Sequence, residues 1–97
     1  MALKIVWTYQ AEKGLLSVLE YLENKWTSKE INNLEGKLSR LLERISKYPD
    51  LFPVASKFKD VHKALVDKNN YIIYRVNFQK GIIEIINFRG TKQSPVL

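Results

Sequence analysis

The sequence predicts an α+β fold of order β-α-α-β-β-β, with a helical hairpin packed on one face of a small, mainly antiparallel sheet. Three observations lead there. Two successive stretches carry apolar residues at three- and four-residue spacing, the period of an amphipathic helix. After PDLFP the pattern changes to alternation and short apolar runs, the mark of strands. The chain has 97 residues, 45% of them apolar, which suffices for one domain (1–97) around one core. Packing the two helices as a layer on the sheet buries both apolar faces at once.

The elements follow in order. KIVW (4–7) is short, β-branched and aromatic, and forms the first strand. Thr8 is placed to cap the helix behind it, with Glu12 in the first turn against the helix dipole. Ala11, Leu15, Val18, Leu19, Leu22 and Trp26 give that helix, over 9–25, one apolar face. TSKEI (27–31) restarts a helix, and Thr27 with Glu30 fits the capping-box spacing. Ile31, Leu34, Leu38, Leu41, Ile45 and Tyr48 continue it as the most regular stripe in the chain, and Pro49 ends it. Gly36 inside this helix costs about 1 kcal/mol relative to Ala, with no reason visible in the sequence. The short joint at Trp26–Ser28 makes the two helices an antiparallel hairpin. VHKALV (61–66), the turn DKNN (67–70), YIIYRVNF (71–78), the turn QKG (79–81) and IIEIINF (82–88) form a meander, with the first strand beside it. Trp7, Trp26, Tyr48 and Phe52 stand at element ends beside apolar stripes and are expected in the core.

Composition narrows the function classes. The chain has no cysteine, which excludes disulfides, thiolate catalysis and cysteine-based zinc sites. A single histidine, His62, argues against a histidine-based metal site. No cofactor or metal is expected. No apolar run approaches the roughly 20 residues of a membrane span, and MALKIVWTYQ carries no signal-peptide pattern. A cytoplasmic protein without a membrane partner is expected. Sixteen Lys and Arg against ten Asp and Glu give a net charge of +6. This basic balance points to nucleic acid or an acidic protein segment as partner; a solvated basic surface is the plainer alternative.

The polar residues that bear on chemistry cluster late: Ser56, Lys57, Lys59, His62, Lys63, Arg75, Glu84, Asn87, Arg89, Lys92 and Gln93. They form no phosphate loop, zinc-protease motif or nucleophile elbow. Lys57 and Lys59, two apart, point the same way in extended chain and would clamp a phosphate, unless they are merely solvated. His62 is a candidate general base, since imidazole titrates in the range a base needs at neutral pH; a packed strand histidine is the alternative. Arg89, at the end of the last strand, offers a bidentate fork to phosphate or a surface salt bridge. Glu84 has no carboxylate partner in its strand, so an exposed strand residue is its simpler reading.

VWTYQAEKGLLSVLEYLENKW, then YPDLFP, VHKALVDKNNYIIYRV, IIEIINF and the ending KQSP occur in a characteristic order. With these segments the chain resembles the RelE/ParE superfamily of type II toxin–antitoxin toxins, and its ParE-like "plasmid stabilization" branch in particular. Lys92-Gln93-Ser94-Pro95 is similar to the terminal RQNP of relatives, with Lys for Arg and Ser for Asn. His62 stands where relatives often carry Arg, and neither Lys nor His reproduces a guanidinium fork. The resemblance implies a toxin neutralised by a cognate antitoxin peptide that wraps the hairpin and sheet, in a toxin–antitoxin hetero-oligomer. ParE-like members inhibit DNA gyrase and are not hydrolases; RelE-like members cleave mRNA on the ribosome. The long hairpin, and the lack of a Tyr or His after the last strand, favour a gyrase inhibitor, with Arg89, Lys92 and Gln93 as binding residues. The alternative is a ribosome-dependent endoribonuclease with Lys57, Lys59, His62 and Arg89 as catalytic residues. A third reading is a degenerate binding module that has lost toxicity.

Overall fold

The computed structural model describes residues 2–25, 28–54 and 60–90. Its elements run β1 (Lys4–Trp7), α1 (Tyr9–Lys25), α2 (Ser28–Lys47), β2 (Val61–Asp67), β3 (Asn70–Asn77) and β4 (Ile82–Gly90). The order is the one expected from the pattern. The four strands form one mixed sheet, β1-β4-β3-β2, in which β1 runs parallel to β4 and the other pairs are antiparallel.

Thr8 turns the chain from β1 into α1. Its hydroxyl donates to the Ile85 carbonyl at 2.8 Å and accepts from the Ala11 N–H at 3.2 Å. One side chain thus caps α1 and ties it to β4. The α2 stripe is buried as its spacing requires: Leu34, Leu38, Leu41 and Ile45 are all core residues. Tyr48 departs from the expectation. It lies just past the end of α2 and is 63% exposed, because the turn at Pro49 takes it off the stripe. Trp7 and Phe52 pack against the core as expected; Thr27 and Trp26 lie outside the described residues.

Both helices cover one face of the sheet. Its buried side chains are Ala64 and Val66 from β2, Ile72, Tyr74 and Val76 from β3, and Ile83, Ile85 and Phe88 from β4. Helix α1 lies close on β4, where a Cβ at Gly14 would run into the Phe88 carbonyl oxygen. Gly14 permits that approach.

Strand β4 does not alternate simply. Ile73 pairs with Asn87 but Tyr74 with Ile85, so Ile86 is an extra residue. Such a bulge re-aims the side chains beyond it. Unbroken alternation from Ile83 and Ile85 would send Asn87 and Arg89 inward. The bulge instead sends Phe88 into the core and turns Arg89 to the opposite face, away from the helices.

Candidate functional site

Among the described residues, the sheet face turned away from the helices is basic, and Val61, opposite Arg75 in register, is buried on it. Each strand contributes one cation to it: Lys4 from β1, Lys63 from β2, Arg75 from β3 and Arg89 from β4. Lys4, Lys63 and Arg75 are exposed and Arg89 is half-buried. Glu84 is the carboxylate on this face, directly across from Arg75. Among the described residues none of the four cations is ion-paired within 4.0 Å. Tyr71, opposite Arg89 in register, is half-buried here, and the Lys63 ammonium sits 4.4 Å from its ring centroid. Lys63, Tyr71 and Arg89 therefore form a compact group across three strands. Such a surface can bind phosphates and stabilise charge that develops on one.

His62 is elsewhere. It lies on the helix-facing side, 5% exposed, with its ring stacked on Tyr74 at a centroid distance of 5.1 Å. Its Nδ1–H donates to the Phe52 carbonyl at 2.8 Å. Nε2 has no hydrogen-bond partner among the described residues and is 3.9 Å from the Asp50 carboxylate. Tyr74 extends the same cluster by donating to the Pro49 carbonyl at 2.8 Å. Burial first, and then the nearby Asp50 charge, push the Tyr74 phenol well above its ordinary range. The anchored segment continues along the outer edge of β2, where Val54 bridges His62 and the Lys63 N–H donates to Pro53 at 3.0 Å.

Of the residues singled out in sequence, His62 and Arg89 are thus on opposite faces and do not share a site. His62, expected as a candidate general base, has its ring packed under the helices and bonded to the loop. Lys57 and Lys59, and Lys92 and Gln93, lie outside the described residues. Lys63 and Arg75 enter the site in place of His62. The signal that finds them is alternation counted from the buried Ala64 and Tyr74, which leaves their odd-numbered neighbours facing out.

No protein-family model matches the sequence, and no curated protein matches it. The structure does have close neighbours in shape. The isolated RelE toxin of E. coli superposes with a TM-score of 0.62 at 19% identity, over 97% of this chain and 89% of that one. YoeB of Staphylococcus aureus, solved as a dimer, gives 0.61 at 16%, over 92% and 97% of the two chains. A chain of the E. coli DinJ–YafQ toxin–antitoxin complex gives 0.60 at 13%, over 93% of each. The chain has the RelE-like α+β fold. At these identities the likeness is one of fold, and it bears out the architecture the sequence resemblance implied. A concavity of about 900 Å³ lies between the helical hairpin and the β2–β3 turn. Its floor is apolar, from Val18, Leu22 and Leu34, and Asn69 and Asn70 edge it. Among the described residues no helix is long and apolar enough to cross a membrane.

Proposed function

We propose that this chain is the toxin of a type II toxin–antitoxin pair and acts as a RelE-like, ribosome-dependent mRNA endonuclease. The observation that carries the reading is the sheet face turned away from the helices, with one cation from every strand and, among the described residues, no ion pair to any of them. Cleavage of RNA through its 2′-hydroxyl needs no metal, only proton transfer and cations around the phosphorane. Arg89, Lys63 and Arg75 supply cations on one surface. Lys57 and Lys59, from the segment joining Val54 to Asp60, and Lys92 and Gln93, after Gly90, are proposed to add to them. RelE, YafQ and YoeB as neighbours favour this alternative; nothing in them supports the gyrase inhibition that the long hairpin first suggested.

A cognate antitoxin is the proposed partner, in a toxin–antitoxin hetero-oligomer. A net charge of +6 suits an acidic peptide, and the apolar cleft beside the hairpin offers it a seat. One neighbour, DinJ–YafQ, is itself a toxin–antitoxin complex.

The test is a translation extract supplied with purified protein. Ribosome-dependent mRNA cleavage is expected, and Arg89→Ala or Lys63→Ala should lower its rate by about 10²–10³, as loss of a positioned donor does. Intact mRNA together with inhibited DNA supercoiling by gyrase would return the ParE-like reading. Absence of both, with no growth arrest on induction, would leave the degenerate binding module.

A further inference from the structure

Tyr71 stands out on the face turned away from the helices. Among the described strand residues it is the aromatic side chain there; Trp7, Tyr74 and Phe88 lie on the helix side. Its place is not explained by the core, which is on the other side of the sheet. Two cations from neighbouring strands bracket the ring: the Lys63 ammonium, 4.4 Å from its centroid, and Arg89, directly across in register. A flat π surface between two positive charges suits one kind of ligand. An unpaired nucleobase stacks on the ring, and the phosphates on either side of it meet the cations.

The geometry points to Tyr71 as a base-stacking platform for single-stranded RNA, with Lys63 and Arg89 taking the flanking phosphates. This deepens the ribonuclease reading, on which it rests, by naming the part of the substrate that the face holds. In the free chain the ammonium rests against the ring through a cation–π contact. A phosphate, with its full charge, draws the ammonium away, and the base takes its place. A duplex hides both faces of each base inside its own stack, so the platform selects single strands. The phenol hydroxyl has no part in stacking.

The experiment is equilibrium binding of the full chain to a short single-stranded RNA carrying one 2-aminopurine, whose fluorescence falls on stacking. Wild type should quench it and bind a duplex of equal length about tenfold or more weakly. Tyr71→Phe should bind within about twofold of wild type, and Tyr71→Ala about 5- to 150-fold more weakly, the range of a lost stack. The ring lies outside the core, so the Ala variant should keep its melting temperature, which is measured alongside. Equal binding by Tyr71→Ala overturns the platform, as does a loss by Tyr71→Phe as large as that by Tyr71→Ala, equal binding of duplex, or no quenching by wild type. Cleavage in the translation extract separates the two readings. If wild type binds and quenches but never cleaves, the platform stands and the ribonuclease reading falls. If wild type and Tyr71→Ala cleave alike, the ribonuclease reading stands and the platform falls.

Discussion

Tyr74 and His62 hold one loop by two bonds, and each makes a prediction of its own. Tyr74 is 0% exposed and its phenol is pushed upward by burial and by Asp50. Because the folded state holds the proton more tightly, its contribution to stability is whole below the ordinary phenol value of about 10 and declines as pH rises above it. Denaturant melts from pH 8 upward should show wild type losing stability above about pH 10 more steeply than Tyr74→Phe. At neutral pH that variant should be weaker by about 1 kcal/mol, the hydrogen bond to Pro49. His62→Ala should cost about 1–3 kcal/mol, since it leaves the Phe52 carbonyl without its donor. Assayed well below its melting temperature, it should still cleave RNA. An unchanged melting temperature with cleavage abolished would restore the imidazole as a base. Both roles were hard to see in sequence. VHKALV alternates on both sides of His62, and only the buried neighbours Ala64 and Val66 fix which side is inward.

The helices were legible because their stripes are long; β4 was not, because its run is apolar on both faces. Leu34, Leu38, Leu41 and Ile45 recur at 3.6-residue period and are buried to the last one. IIEIINF has isoleucines at 82, 83, 85 and 86, so no alternation marks the extra residue at Ile86. The bulge decides where Arg89 points, and with it the shape of the site. Glycines in the two helices give a paired test. Gly36 has room, for a Cβ there would meet the Arg40 guanidinium at 3.5 Å, an ordinary contact. Gly36→Ala should therefore stabilise by about 0.4–1 kcal/mol. Gly14→Ala should instead destabilise by about 1–3 kcal/mol, because the Phe88 carbonyl belongs to a central strand and has little freedom to move. Equal melting temperatures for the two variants would contradict the close approach of α1 to β4.

At the scale of the molecule, charge has a direction. The four cations from Lys4 to Arg89 share one face, while the opposite face is sealed by helices. RNA held there should release counterions, with log K falling against log salt at a slope of about −0.7 for each phosphate neutralised. Engagement of all four cations predicts a slope near −3 by that rule. Titration of single-stranded RNA across a range of salt checks it, and Lys4→Gln with Arg75→Gln should flatten the slope by about 1.4. A slope near zero would mean that the face does not carry the contact. Composition alone announced a basic chain; that four of its sixteen cations share one sheet face required knowing the register of all four strands.

The parallel pairing of β1 with β4 also sets a clock. Lys4 meets Ile82, so roughly 80 residues separate partners that lie side by side. At synthesis rates of about 5–20 residues per second, β1 waits about 4–16 seconds for the strand that it borders. Helix α1 waits with it, because Gly14 and Thr8 both dock on β4. Until then the nascent chain has two amphipathic helices with their apolar faces only partly covered, and one of the two interior strands of its sheet is missing. A chain terminated near residue 80 should therefore remain unfolded and prone to aggregate, and the complete basic face can exist only once the last strand has been made.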